Sequence, residues 1–298
     1  MSMTEKILVI GGSGLLGYYL KQNLTDADVY STYRQNKLDF KKANFLDITN
    51  KNNLEKIFKK IKPNVIFHTA AITDLDWCEK NEKETYALNT NPIKNITNLA
   101  KRYNSKLIFI STDSVFDGKL GGYQENDPLN SINVYSKSKI EAEKIIKTLD
   151  NSLIVRGTFF GIKTNKESFI SYLLKQLKNN KEINVPKDKI SNGLFVNDFA
   201  KILVEMHYKK LSGVFHIGSS DYVNNFEFAK KIANVFGYEE DLIHETLFRE
   251  IFYEKNLIAK RPLNTTLNTK KISAIIKMPN FKDVINSFYE NTNLRSIL

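Results

Sequence analysis

The chain has one cysteine, Cys78, in 298 residues, so no intramolecular disulfide can form and nothing argues for an oxidising compartment. No apolar run approaches the roughly eighteen residues that a membrane-spanning helix needs. The opening Met1-Ser2-Met3-Thr4-Glu5 lacks a basic flank leading into a long apolar region, so a secretory leader is not expected either. A cytoplasmic location without a membrane partner follows as an expectation. The four histidines, His68, His207, His216 and His244, are scattered without ligand spacing, and no metal site is expected. Internal repeats, low-complexity tracts and flexible linkers are also missing, so any second domain must be built from interleaved segments. Acidic residues are few, 33 against 44 lysines and arginines, for a net charge of +11. Such an excess suits nucleic acid, a membrane surface or small polyanions. The lysines never gather into a block of about five or six, which favours a solvated surface with some attraction for phosphorylated ligands over a nucleic-acid groove.

What is present is concentrated at the start. Lys6-Ile7-Leu8-Val9-Ile10 is a short apolar run with three β-branched residues, as in a buried strand. It leads into Gly11-Gly12-Ser13-Gly14-Leu15-Leu16-Gly17 and then an apolar-faced segment, Tyr18 to Leu24, that reads as a helix. Strand, glycine turn and helix make a dinucleotide-binding arrangement. Gly11 permits the tight turn, Gly14 lets backbone amides approach a pyrophosphate, and Gly17 lets the helix pack on the strand. The next strand, Asp28 to Arg34, ends about twenty positions past the first glycine, where an acid would bind a ribose hydroxyl and an arginine a 2′-phosphate. Arg34 favours NADP(H); Asp39, a little later, keeps NAD(H) open.

Further strands are expected at Asn44–Ile48, Val65–Ala71, Leu107–Asp113, Leu153–Arg156 and Val214–Ile217. Helical segments are expected around Leu54–Ile61, Cys78–Tyr103, Asn133–Leu149, Glu167–Leu177, Asn197–Tyr208 and Phe226–Phe236. An extended stretch falls at Glu182–Val185, and the last sixty residues hold an Arg261-Pro262 turn and two helices. The alternation specifies an α/β fold, a Rossmann-type doubly wound parallel sheet with right-handed crossovers. A smaller, mainly C-terminal substrate-binding domain completes it. Residues 1–160 form the cofactor domain, to which 191–215 return, and 161–190 with 216–298 form the substrate domain.

Tyr135-Ser136-Lys137-Ser138-Lys139 opens a helix, and its Tyr135 and Lys139 share a face. A tyrosine exchanges protons poorly at neutral pH, with an unperturbed pKa of about 10, and an ammonium one turn away is expected to lower it. Thr112, at the end of the preceding strand, can offer its hydroxyl to the same carbonyl oxygen.

With the glycine turn, these residues resemble the extended short-chain dehydrogenase/reductase family. Ser111-Thr112-Asp113-Ser114-Val115-Phe116-Asp117-Gly118, Pro128-Leu129-Asn130, Tyr135-x-x-x-Lys139 and Arg261-Pro262-Leu263-Asn264-Thr265-Thr266-Leu267-Asn268-Thr269 look like its dTDP-4-dehydrorhamnose reductases. The resemblance implies reduction of the 4-keto group of a nucleotide-linked 6-deoxysugar in surface polysaccharide biosynthesis. Tyr135 would give the proton, Lys139 would hold the nicotinamide ribose, and Thr112 would orient the carbonyl. The cofactor cleft would take Gly11, Ser13, Gly14, Leu15, Leu16, Gly17, Tyr33, Arg34, Asp47, Ile48, Ala70, Ala71, Thr73 and Asn89 as well as Tyr135 and Lys139. The substrate side would take Asp113, Ser114, Phe159 and Arg261. Ser114, Phe159 and Ile72 replace aromatic residues that the family carries there, which leaves the sugar open. The rival readings are an epimerase on the same scaffold and a non-catalytic NADP-binding subunit resembling the regulatory subunit of methionine adenosyltransferase. The partner implied is a nucleotide sugar and not nucleic acid, and a homodimer stays open.

Overall fold

In the computed structural model, which describes residues 4–162 and 168–292, the apolar runs assemble into one parallel sheet. The first half runs β1 (Lys6–Ile10), α1 (Leu15–Asn23), β2 (Asp28–Tyr33), β3 (Ala43–Phe45), α2 (Lys51–Ile61), β4 (Val65–His68), α3 (Leu75–Lys80), α4 (Glu82–Asn89), α5 (Asn91–Arg102), β5 (Lys106–Ile110), α6 (Val134–Ile146) and β6 (Ser152–Arg156). The second half runs β7 (Phe159–Phe160), α7 (Phe169–Lys178), β8 (Ile183–Pro186), β9 (Ile190–Ser191), β10 (Leu194–Phe195), α8 (Val196–Tyr208), β11 (Gly213–His216), β12 (Val223–Asn224), α9 (Asn225–Phe236), β13 (Ile243–Thr246), α10 (Phe248–Glu254), α11 (Lys270–Ser273) and α12 (Phe281–Asn291).

Seven strands form the main sheet in the order β11-β6-β5-β4-β1-β2-β3, every pair parallel. Strand β1 shows why its sequence is apolar without alternation. Ile7 and Val9 enter a core with α1, α8 and the C-terminal helices, whereas Leu8 and Ile10 enter a second core with α2, α5 and α6. Both faces of the sheet are covered, so both sets of side chains must be apolar. The order reverses between β1 and β4, and a ligand cleft is expected outside the carboxyl ends of those two strands.

Several elements differ from the sequence expectation. The strand read through Ala71 ends at His68, and the one read through Asp113 ends at Ile110, because each chain peels away at the carboxyl edge. Only Ala43–Phe45 of the third strand pairs with its neighbour. The long helix expected over Cys78–Tyr103 is three: Asn81 leaves helical geometry at ψ 60, and Pro92 has no amide to donate back into α4. The helix start expected at Glu167 lies outside the described residues, and the helix is seen from Phe169. Among the described residues the C-terminal part holds three helices, α10, α11 and α12, where two were expected. Among the described residues no helix is long and apolar enough to cross a membrane.

One ion pair anchors α6 to the sheet. Arg156, at the end of β6, is 1% exposed and Glu143, on α6, is fully buried, with Arg156 Nη2 donating to Glu143 Oε2 at 2.7 Å and Nε to Oε1 at 3.0 Å. Ser111 donates its hydroxyl to Glu143 Oε1 at 2.5 Å, and Arg156 Nη1 donates to the Glu125 carbonyl at 3.0 Å. His216 stands beside the pair, Nε2 3.3 Å from Arg156 Nη1; burial and that guanidinium hold its pKa down to about 3. Glu143→Leu alone should cost about 3 to 5 kcal/mol, because Arg156 would be left buried without its counter-charge. Glu143→Leu with Arg156→Met should recover most of that loss. Denaturant midpoints check both, and a double variant no more stable than the single would overturn the account.

Candidate active site

The turn after β1 depends on two glycines. Gly11 has φ +92°, and a Cβ there would lie 2.7 Å from the Ala70 amide nitrogen. A Cβ on Gly17 would lie 2.4 Å from the Gly11 carbonyl oxygen, so its absence is what lets α1 close onto the turn. Two threonines that the sequence reading did not single out fix the shape. Thr32 Oγ1 accepts from the Gly11 amide at 3.1 Å, and Thr69 Oγ1 donates to the Ile10 carbonyl at 3.0 Å. Gly14 is the N-cap of α1 and brings no capping side chain. The opening amides of α1 are thus left for a ligand, at the positive end of the helix, which fits the pyrophosphate of a dinucleotide.

A cleft of about 280 Å³ lies beside the turn. Gly11, Ser13, Gly14, Ala70 and Ala71 line it from the turn and the β4 edge, and Tyr33, Arg34 and Ile48 from the far side. Arg34 is exposed there, just past the end of β2. Other expected cofactor residues are placed differently. Leu16 and Gly17 are buried and Leu15 packs on the core, so α1 offers only their amides. Asp47 Oδ1 accepts from the amide and hydroxyl of Thr49, at 3.0 and 2.7 Å. Thr73 is exposed outside the cleft lining. Asn89 is tied to its surroundings: its Oδ1 accepts from the Ile72 amide at 2.9 Å, and its Nδ2 donates to the Ile72 carbonyl at 3.0 Å and the Ser138 hydroxyl at 3.2 Å. These bonds clamp the loop after β4 to α6 beside the cleft.

Helix α6 begins where Asn133 Oδ1 accepts from the Ser136 amide at 2.9 Å and Glu79 Oε2 accepts from the Val134 amide at 3.0 Å. This fixes its first turn, which carries Tyr135. The buried Tyr135 phenol hydrogen-bonds Thr112, whose Oγ1 also accepts from the Ser114 amide at 3.2 Å. Burial pushes Tyr135 well above the usual tyrosine range, against the pull of Thr112. The expected assistance from Lys139 is absent in this geometry. Lys139 Nζ donates to the Ile110 carbonyl at 2.7 Å and lies 4.0 Å from the Phe109 ring centroid, under the helix at the sheet edge. Burial lowers Lys139 to about 7, with Glu143 opposing. The phenol is therefore held as a neutral proton donor, and its neighbour is an ammonium that titrates near neutrality.

Asp113 follows Thr112 and is buried; its Oδ1 accepts from Thr112 at 3.1 Å and Ser114 at 3.3 Å, its Oδ2 from Thr265 at 2.6 Å. Phe159 stands in a second, aromatic cavity of about 140 Å³, its ring centroid 4.9 Å from that of Phe199. Arg261 belongs to a strap, residues 258–269, that crosses the carboxyl edge of the sheet. Asp76 on α3 accepts from the amides of Ile258 and Ala259, each at 2.8 Å, and from Arg261 Nη2 at 2.7 Å. Burial alone would raise Asp76, but the Arg261 hydrogen bond and the two amides outweigh it and hold its pKa at about 2. Asn133 Nδ2 donates to the Lys260 carbonyl at 2.9 Å, which joins the strap to the start of α6. Asp76 escaped the sequence reading, and Thr265 was read only as part of the Arg261 motif, since their partners lie 185 and 152 positions away. Among the described residues no group of three or more His, Cys, Asp or Glu side chains converges as a metal site would.

The sequence profile described as RmlD substrate binding domain matches residues 5–294. The dTDP-4-dehydrorhamnose reductase of Aggregatibacter actinomycetemcomitans is 31% identical over 275 residues, 90% of this chain and 92% of the relative. Methionine adenosyltransferase 2 subunit beta of Bos taurus is 26% identical over 285 residues, 91% and 82% of the two chains. The crystal structure of dTDP-4-dehydrorhamnose reductase from Bacillus anthracis str. Ames in complex with NADP superposes with a TM-score of 0.87 at 26% identity, covering 97% of this chain and all of that one.

Asp76→Asn tests the strap. A carboxylate whose folded pKa is depressed from 3.8 to about 2 stabilises the fold above the unfolded value and loses that stabilisation as pH falls toward 2. The variant should melt below the parent at neutral pH, and the gap should close between about pH 4 and pH 2. Equal melting temperatures at neutral pH would remove Asp76 as the clamp.

Proposed function

Because the chain belongs to the RmlD substrate binding domain family, we propose that it reduces the 4-keto group of a nucleotide-activated 6-deoxysugar with NADPH, in the biosynthesis of deoxysugars and surface polysaccharide. The observation that carries this reading is the buried Tyr135–Thr112 pair at the carboxyl edge of the sheet, on the same edge as the glycine turn. NADPH supplies the hydride when bound. Tyr135 delivers a proton to the carbonyl oxygen as it gains charge, and Thr112 holds that oxygen in line with the phenol. Burial keeps Tyr135 protonated until then, so its acid form is the resident one at neutral pH. Lys139 serves the ribose of the cofactor, the turn and the opening amides of α1 hold the pyrophosphate, and Arg34 faces the 2′-phosphate. Asp113 and Arg261 stand on the sugar side. Asp113 is already bonded to three hydroxyls and has no acidic neighbour in sequence, so an elimination needing a second acid finds none beside it.

The similarity to methionine adenosyltransferase 2 subunit beta favours a second reading, an NADP-binding partner protein without turnover. One assay separates the two. Purified protein is mixed with NADPH and a panel of 4-keto-6-deoxy nucleotide sugars, and cofactor oxidation is followed by absorbance. Oxidation is expected, and Tyr135→Phe should reduce it by about 10²-fold or more while leaving NADPH binding intact. Binding without oxidation across the panel would favour the partner protein. Arg34→Ala should weaken NADPH about tenfold more than NADH, the loss of a charge-assisted contact to the 2′-phosphate. Equal weakening in titrations of the two cofactors would reverse the NADP preference.

A further inference from the structure

Lys189 was not singled out by any motif, yet the fold delivers it to the substrate side. The strap and β9 are bonded together around it: the Ile190 amide donates to the Leu263 carbonyl at 2.7 Å, and the Thr265 amide to the Ile190 carbonyl at 3.0 Å. The same Thr265 donates its hydroxyl to Asp113, so Lys189 stands next to the residue that follows Thr112. Its ammonium is half-buried and lies 5.1 Å from the Phe248 ring centroid. Asp113, Asp188 and Arg261 are its charged neighbours, yet among the described residues it makes neither an ion pair nor a side-chain hydrogen bond.

The nearby carboxylates are occupied elsewhere. Asp113 accepts from three hydroxyls, Asp188 Oδ1 accepts from the Phe248 amide at 2.7 Å, and Asp76 is taken by Arg261. A partly desolvated ammonium without a direct counter-charge is costly, and an anion arriving from outside removes that cost. The backbone of Lys189 also touches the wall of the aromatic cavity, since the Asn225 amide donates to the Lys189 carbonyl at 2.9 Å and Asn225, Phe159 and Phe228 line that cavity. An ammonium near Asp113 on a segment whose backbone is bonded to the rim of an aromatic-walled cavity of about 140 Å³ suits a phosphate group attached to a planar base.

We propose that Lys189 is the group that binds the diphosphate of the nucleotide-activated substrate, and so sets the preference for nucleoside diphosphates over monophosphates and free nucleosides. This rests on the reading of the substrate given above. The NADPH-loaded protein is titrated by calorimetry with dTDP, UDP, dTMP, UMP, thymidine and uridine. At least one diphosphate should bind more tightly than its monophosphate and nucleoside, and Lys189→Gln should weaken it about tenfold or more while the nucleoside affinity stays as it was. Lys189→Arg, which keeps the charge, should retain most of the affinity, and this separates charge recognition from a folding defect. Unchanged diphosphate affinity in Lys189→Gln would overturn the assignment, as would a parent protein that binds no diphosphate. Reduction of a keto-sugar by a parent protein whose diphosphate affinity ignores Lys189 would leave the reaction standing and remove this residue. Lys189-dependent diphosphate binding in a protein that reduces no keto-sugar would support the residue and remove the reaction.

Discussion

The contact between Arg156 and Glu143 governs the geometry of the candidate site although neither residue reaches it. Glu143 lies two turns along α6 from Tyr135, and Ser111, bonded to the same carboxylate, is the neighbour of Thr112. One buried charge pair therefore ties together the two backbones that must bring a phenol and an alcohol within hydrogen-bonding distance. Such a pair contributes little net stability when compared with a well-packed apolar replacement. Its value lies in direction, because a guanidinium fork and a carboxylate accept few relative orientations. The network around it, with His216 kept neutral and its Nδ1 3.0 Å from the Tyr123 carbonyl, leaves few alternatives to the observed arrangement.

The strap performs the corresponding task on the substrate side. It is held by the carboxylate of Asp76, the amide of Asn133 and the hydroxyl of Thr265, each from or toward a different element of the first half of the chain. A segment more than a hundred residues downstream of Tyr135 thereby becomes one wall of its surroundings. The family profile matches residues 5–294, so it extends over the strap as well as the glycine turn and covers both sides of the cleft.

Much of this was legible in the sequence because local periodicity carries it. The unbroken apolar run of β1 announced a strand covered on both faces, and Gly11 and Gly17 stand where their spacing placed them. Tyr135 and Thr112 were readable as a pair, since strand end and helix start meet at the carboxyl edge of any such sheet. Lys139 shows what spacing leaves open. Two residues four apart share a helix face, but here the long lysine side chain runs down to the Ile110 carbonyl while the buried phenol meets Thr112. Asn89 is similar: spacing placed it beside the cleft but could not show the bonds of its amide to Ile72 and Ser138. Asp76 and Lys189, and the bond that Thr265 makes, were invisible because their meaning depends on pairings distant in the chain. The breaks at Asn81 and Thr90 divided a helix that polarity alone could not divide.

The apolar core on one sheet face does not stop at the sheet: Ile7 and Val155 belong to the same continuous cluster as Phe195, Leu173, Phe228 and Phe288. With that much shared interior, the later segments have no seam along which to swing as a rigid lid. Melting should accordingly run through a single cooperative transition, and a protease should find no intact half to release.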